Sequence, residues 1–196
     1  MSQVLWGRIM SGDIQYSVYE AAEDTFLLAK QVLTQTANSA LEMGVGSGLT
    51  TVALARIAEH VVGTDINLEA IRRTRERLRL EGPAAEVDLV CCSSAQPFSD
   101  SCFDLVVFNP PYLPSSSNED IAVDGGIQGI EVSLEMLDQG SRTLRKGGKI
   151  LLASSSHSNY GKLMTILSDK GFSSRIITRQ RMFFEEIMIV EAVRGD

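Results

Sequence analysis

Apolar and polar residues change rhythm repeatedly along this chain from about residue 40 onward. Short apolar runs alternate with stretches of helical period, the sign of successive βαβ units around a parallel sheet. Strands are predicted near Ser39–Met43, Val61–Asp65, Glu86–Cys91, Leu105–Phe108 and Lys149–Ser154, with two more near Ser174–Arg179 and Ile187–Ala192. Helices are predicted over about Thr50–Glu59, Leu68–Leu80, Ile130–Leu144 and Tyr160–Lys170. Lys146-Gly147-Gly148 reads as a helix stop followed by a strand. No helix separates the last two strands across Gln180–Phe184, so they can pair antiparallel. The predicted fold class is α/β: a mostly parallel seven-stranded sheet with a C-terminal antiparallel hairpin.

A different unit precedes this pattern. Tyr16–Glu20 is extended in character, and Glu23-Asp24-Thr25 leads into the helical stretch FLLAKQVL. Acids in a first turn favour the helix dipole. Residues 113–129 (LPSSSNEDIAVDGGIQG) are polar and Gly/Ser-rich. A loop of that length beside a site reads as a lid or substrate-binding loop rather than as linker. No internal repeat is present.

Composition narrows the function classes. The 196 residues suffice for one large α/β domain, and 44% hydrophobic with 22% charged residues is ordinary for a globular chain. No run of eighteen apolar residues or signal-peptide pattern appears, so neither a membrane span nor export is expected and the location is read as cytoplasmic. Cys91, Cys92 and Cys102 lack CxxC spacing, and His60 and His157 lie far apart. Buried free thiols and no metal site are the expectation. The net charge of −7 suits nucleic-acid binding poorly. The one basic cluster, IRRTRERLRL, keeps Ile71, Thr74 and Leu78 on one stripe and spreads its arginines elsewhere, as a solvated amphipathic helix does.

Candidate chemistry begins after the first strand with Glu42-Met43-Gly44-Val45-Gly46-Ser47-Gly48. Glycines let the chain turn sharply and let a ligand approach the backbone. The spacing is GxGxG, not the GxGxxG of dinucleotide sites. Asp65 ends the second strand, where its carboxylate can accept from two ribose hydroxyls. Glu42 would repel a pyrophosphate but suits the ammonium of a methionine moiety. Together these features favour S-adenosylmethionine over NAD. A glycine turn needed only for packing is the competing reading.

A second constellation ends the fourth strand. In FDLVVFNPPYLP, two consecutive prolines stop helix and ladder alike and leave Asn109 and Tyr112 on a rigid terminus. Asn109 and Asp65 both stand at carboxyl ends of strands, so they can flank one cofactor. An amide or exocyclic amine nitrogen is a poor nucleophile because its lone pair is delocalised. The Asn109 side-chain oxygen and the Pro110 carbonyl can accept from such an NH2 group, while Tyr112 offers a face for packing. A proline cap on a strand would explain Pro110 and Pro111 but leaves Asn109 and Tyr112 without a reason.

This combination resembles a known family. Asn109-Pro110-Pro111-Tyr112 matches the NPPY motif of enzymes that methylate adenine, guanine or glutamine amide nitrogens. VYEAAEDTFLL (Val18–Leu28), EMGVGSG, TDIN (Thr64–Asn67) and FDLVVFNPPYLP resemble HemK/PrmC-type release-factor glutamine N5-methyltransferases, the short archaeal and eukaryotic branch above all. The resemblance runs from about residue 16 to the C-terminal strands. It implies a Rossmann-like class I methyltransferase fold in a single domain over 1–196, with 1–38 as a cofactor-covering segment and 39–196 as the core. It also implies that Asp24 and Thr25 close over the methionine end of S-adenosylmethionine, that Glu42 and Gly44 hold its methionine portion, that Gly46 also binds the cofactor, and that Asp65 holds its ribose. Asn109 would contact both methyl donor and acceptor amide, with Pro110 and Tyr112 completing the catalytic set and Tyr112 also facing the substrate. Two positions depart from the pattern: Ala21 replaces the usual proline, and Ser93, beside Ser94, replaces an acid that often binds adenine.

The expected reaction is N5-methylation of a glutamine in the Gly-Gly-Gln loop of a peptide-chain release factor. The alternatives are an N-methylase of adenine or guanine in RNA or DNA, and a noncatalytic subunit that binds S-adenosylmethionine; a NAD-dependent oxidoreductase ranks last. Only about forty residues precede the glycine loop, too few for the helical domain that helps longer bacterial relatives bind their substrate. The resemblance implies a small zinc-binding activator protein as partner instead. Glu86–Cys91, expected at a sheet edge, is its predicted contact.

Overall fold

The computed structural model describes residues 18–111 and 130–195. Its elements run α1 (Glu23–Val32), β1 (Ala37–Met43), α2 (Leu49–Leu54), β2 (Ala58–Asp65), α3 (Leu68–Glu81), β3 (Glu86–Cys91) and β4 (Phe103–Phe108). After residue 129 come α4 (Glu131–Thr143), β5 (Leu144–Ser155), α5 (Tyr160–Asp169), β6 (Phe172–Arg181) and β7 (Glu186–Arg194). Tyr112 and the polar stretch 113–129 lie outside the described residues.

The seven strands form one sheet in the order β3-β2-β1-β4-β5-β7-β6. β3, β2, β1, β4 and β5 are mutually parallel, and β7 pairs antiparallel with both β5 and β6. The C-terminal hairpin is therefore present, and β3 is an edge strand. Successive residues alternate between two covered faces. Leu105, Val107, Leu151 and Ala153 join Leu28, Val32 and Leu54 on one side. Val106, Phe108, Ile150 and Leu152 join Leu137, Leu163 and Leu167 on the other. A Cβ at Gly140 of α4 would sit 3.1 Å from Val106 and 3.2 Å from Met43, so the missing side chain lets this helix lie close on the sheet.

Capping follows the sequence. The Asn67 side chain accepts from the Glu69 N–H at 2.9 Å to start α3, and Gly82 ends it in the left-handed region. Ala70, Ile71, Thr74 and Leu78 face inward, and the arginines lie outside that stripe.

Three expectations need correction. The helix after the glycines stops at Leu54, because residues from Ala58 onward pair with β1, Ala37 opposite Ala58. Lys146-Gly147-Gly148 is not a helix stop: β5 already begins at Leu144, and these residues are an excursion between the pairs Phe103–Leu144 and Leu105–Lys149. All three cysteines are free, but none is buried: Cys91 is exposed because it ends the edge strand, and Cys92 and Cys102, in the turns after β3 and before β4, are half-buried. No described helix is long and apolar enough to cross a membrane.

Candidate functional site

β1 lies between β2 and β4, so the chain reverses its direction of travel across the sheet at the β1–β4 seam. In such sheets ligands bind at the carboxyl ends of the strands beside that seam. Met43 is opposite Thr64 on β2 and Phe108 on β4. Glu42, Asp65 and Asn109 thus converge from three neighbouring strand ends.

The glycine turn is fixed from several directions. The backbone N–H groups of Gly44 and Val45 both donate to the Thr64 carbonyl, at 2.8 and 3.0 Å. Gly46 donates to Asp65 Oδ2 at 3.0 Å, and Arg77 Nε donates to the Ser47 carbonyl at 2.9 Å. Gly44 has φ +79, and a Cβ built there meets no protein atom within 4 Å. That open space over exposed backbone fits a ligand laid across the turn. Val18 packs with Val45 and Ile71, and the Tyr19 carbonyl lies 3.5 Å from where a Gly46 Cβ would be. Residues just before α1 therefore run against the turn.

Glu42 is buried, and Thr51 Oγ1 donates to its Oε2. Burial, with a smaller contribution from Asp65, pushes its carboxyl up to about 8 despite the Thr51 bond. The group is set to gain charge when a cation arrives. Asp65 accepts from the Asn67 N–H through Oδ1 at 2.8 Å as well as from Gly46 through Oδ2. A carboxylate has about four acceptor positions, so capacity remains for ribose hydroxyls. Burial raises the Asp65 pKa, and the backbone donors of Asn67, Gly46 and Ile66 oppose that rise. The turn carrying Ser93 and Ser94 follows β3, tied to Asp65 by the Cys92 N–H at 3.0 Å from its carbonyl. Ser93 is buried, and Ser94 has φ +48.

At the end of β4, Asn109 Nδ2 donates to Asp24 Oδ2 at 3.0 Å. The same oxygen accepts from the Tyr19 hydroxyl at 2.9 Å, and Asp24 Oδ1 accepts from the Thr25 N–H at 2.6 Å and from Thr25 Oγ1 at 3.2 Å. Burial first, then the Asp24 carboxylate, pushes the Tyr19 phenol above its usual range. Asn109 Oδ1 is buried without a hydrogen-bond partner among the described residues. Which end of an amide is oxygen is decided by its neighbours. Here a carboxylate, which only accepts, decides it. A hydrogen bond to a charged acceptor is worth about 1.5–3 kcal/mol, enough to hold this orientation by roughly ten- to a hundredfold.

The sequence placed Glu42, Gly44, Gly46, Asp65, Ser93, Ser94, Asn109 and Pro110 at one edge, and the structure brings them together there. Asp24 and Thr25 reach the Asn109 side. Tyr19, Thr51 and Arg77 were missed. Thr51 stands nine residues after Glu42 in the helix opened by the glycines, a pairing that helix geometry could have suggested. Among the described residues no group of three His, Cys, Asp or Glu side chains could hold a metal ion.

The family described as methyltransferase small domain matches residues 14–183. The chain belongs to this family. A Methanocaldococcus jannaschii protein, provisionally named a protein N5-glutamine methyltransferase, is 35% identical over 187 residues, covering 90% of this chain and 92% of that one. A release factor glutamine methyltransferase of Geobacter sulfurreducens is 31% identical over 151 residues, covering 69% of this chain and 52% of that one. The chain thus spans about half the length of that bacterial relative. Among solved structures, the E. cuniculi Mtq2–Trm112 complex, responsible for methylation of the translation termination factor eRF1, has a chain 25% identical with TM-score 0.74, covering 90% of this chain and 98% of that one. These matches bear out the class I fold and the short HemK-type branch read from the motifs. The methyltransferase is an enzyme whose cofactor is S-adenosylmethionine, and the open backbone at Gly44 beside Glu42 and Asp65 fits that molecule.

Proposed function

We propose that this methyltransferase transfers a methyl group to the side-chain nitrogen of a glutamine in the Gly-Gly-Gln loop of a peptide-chain release factor. The observation that carries the reading is Asn109: a buried amide at a rigid strand end, its nitrogen engaged by Asp24 and its oxygen without a hydrogen-bond partner among the described residues. The naming of relatives over most of this chain for glutamine methylation favours a glutamine over a nucleobase as that donor. The net charge of −7 points the same way.

S-adenosylmethionine, when bound, supplies a sulfonium methyl that is already electrophilic. Glu42, Gly44, Gly46 and Thr25 would hold its methionine portion, Asp65 its ribose, and Ser93 and Ser94 its adenine. Asn109 Oδ1 and the Pro110 carbonyl would accept the two N–H bonds of the acceptor amide and turn its lone pair toward the methyl. These bonds accelerate transfer to the degree that they favour the developing tetrahedral nitrogen over the planar one. Tyr112 would pack on the planar amide. The nitrogen would take the methyl as the sulfur–methyl bond breaks and its electron pair returns to sulfur, leaving a neutral thioether; the nitrogen would then shed a proton to solvent, and no base is required beforehand.

Residues 1–196 act in this reading as one domain, with 1–38 covering the cofactor and 39–196 forming the core; Val18 and Tyr19 against the glycine turn support that division. A small zinc-binding activator protein docks on the β3 edge, a pairing favoured by the two-protein complex of the E. cuniculi relative. A release-factor substrate goes with a cytoplasmic location. The test is incubation with labelled S-adenosylmethionine and candidate release factors, with and without the activator, followed by mapping of the modified residue. Label on the glutamine of the Gly-Gly-Gln loop is expected. Label that enters RNA or DNA, and no release factor, overturns the reading.

A further inference from the structure

We propose that Asp24 is a positioning residue for methyl transfer: it fixes the side-chain amide of Asn109 in the one flip state that presents an oxygen to the acceptor nitrogen. The inference rests on the reading of Asn109 as the group that receives the acceptor N–H.

A side-chain amide is nearly symmetric in shape, and its two ends differ only in hydrogen-bonding sense. One flip state offers the acceptor NH2 an oxygen, which can bind and orient it. The other offers a second NH2 group, which repels it. Neither β4 nor the two prolines chooses between these states, because both occupy the same volume. The choice falls to whatever faces the other end of the amide. That neighbour is Asp24, 85 residues earlier in the chain and 2% exposed. Its Oδ2 accepts from Asn109 Nδ2, so the opposite flip would set two acceptors against each other 3.0 Å apart.

Among the described residues Asp24 is itself held by the Tyr19 hydroxyl on Oδ2, and by the Thr25 backbone N–H and hydroxyl on Oδ1. A carboxylate so held cannot swing away from Asn109 without leaving several donors unpaired. The result is directional: Tyr19 and Thr25 fix Asp24, Asp24 fixes Asn109, and Asn109 Oδ1 is left buried and, among the described residues, unpartnered. A buried acceptor in that condition costs stability unless something completes it, and the acceptor amide supplies the donor. The resemblance places Asp24 over the methionine end of the cofactor; its hydrogen bond to Asn109 gives it a role toward the acceptor as well.

The variant to make is Asp24→Asn, which keeps shape but lets either end of residue 24 face Asn109. We expect kcat to fall about 10- to 100-fold, the scale of a misplaced reacting group, with cofactor Kd unchanged within about threefold. Asp24→Glu, which restores an acceptor-only group, should recover part of kcat. In an Asn109→Ala background, Asp24→Asn should have no further effect, whereas an independent cofactor contact would add its own loss. A readout free of the acceptor is the Asn109 side-chain NH2 signal in 15N-edited NMR, assigned by its disappearance in Asn109→Asp. It should move and exchange faster with solvent in Asp24→Asn. A changed NH2 signal with no transfer to release factors by the parent protein would keep the positioning role and remove the substrate reading. An unchanged NH2 signal, or a kcat like the parent's, overturns the role of Asp24. So does a cofactor affinity that falls in step with kcat.

Discussion

Gly46 donates its backbone N–H to the Asp65 carboxylate across 3.0 Å, so the glycine turn after β1 and the acid ending β2 form one unit. Asp65 therefore both shapes the turn and keeps acceptor capacity toward a ribose. Asp65→Ala should weaken S-adenosylmethionine binding by about 1.5–3 kcal/mol, the scale for losing hydrogen bonds to a charged acceptor. Titration calorimetry on the folded variant checks it. Unchanged affinity would remove Asp65 from the cofactor site.

Glu42 makes cofactor binding depend on pH. With its carboxyl raised to about 8, the buried group carries a proton near neutral pH, and pairing with the ammonium of methionine requires the proton to leave. Binding should release protons and tighten as pH rises from about 6 toward 8.5. Thr51→Val, which removes a bond that favours the charged form, should move that dependence to higher pH. Stability carries the opposite sign. The folded pKa lies above the ordinary value of 4.5, so this proton's contribution is fully present below about 4.5 and is lost as pH climbs through about 8. Glu42→Gln should flatten both profiles; calorimetry in buffers of different ionisation enthalpy, beside urea melts across that range, measures them.

Asn109→Ala separates binding from chemistry. Cofactor affinity should change little, whereas single-turnover transfer should fall at least about 10²-fold, comparable to removing one preorganised group from a transition state. Near-normal turnover would return the Asn-Pro-Pro element to a strand cap.

The sheet and the strand-end residues were legible because burial on two faces writes short, near-continuous apolar runs such as Phe103–Phe108 directly into the chain. The short α2 was not. Thr50–His60 holds good helix formers and no Gly or Pro, and only pairing of Ala58 with Ala37 ends the helix. The excursion at Lys146-Gly147-Gly148 was hidden for a like reason, since two glycines after a helical period satisfy the rule for a stop. At the site, Glu42, Asp65 and Asn109 each stand at or next to the end of a strand and announce themselves. The Asp24–Asn109 bond spans 85 residues and depends on where α1 docks, which no local pattern records.

Gly48 is a place where backbone and packing act together. Its φ is +78, and a Cβ there would lie 2.8 Å from Thr74 Oγ1 and 3.0 Å from Thr74 Cα. A backbone atom cannot swing aside. Gly48→Ala should cost about 2–4 kcal/mol, combining left-handed strain with overpacking. Gly82→Ala shares a positive φ but meets nothing within 4 Å, and should cost only about 1–2 kcal/mol. Urea denaturation of the two variants tests the difference.

The β3 edge gives the proposed heterodimer its own test. Val87, Leu89 and Val90 are half-buried while Glu86, Asp88 and Cys91 are exposed, so one side of the strand packs and the outer edge is open among the described residues. Open edges attract further strands, and exposed acids on the edge discourage pairing with another copy of the same acidic edge. A different protein is the occupant that fits. Co-expression with the small activator should yield a one-to-one complex by light scattering, with activity above that of the isolated chain and less aggregation. Cys91 ends β3 and reports the cover directly. Burial beside β2 and the nearby Asp65 raise its thiol pKa, so alkylation is best followed in mildly alkaline buffer. Complex formation should slow alkylation of Cys91 while leaving Cys102, which lies at the start of β4 away from this edge, unchanged. If the isolated chain is a stable, fully active monomer, and the activator alters neither its activity nor the rate at Cys91, the heterodimer is wrong.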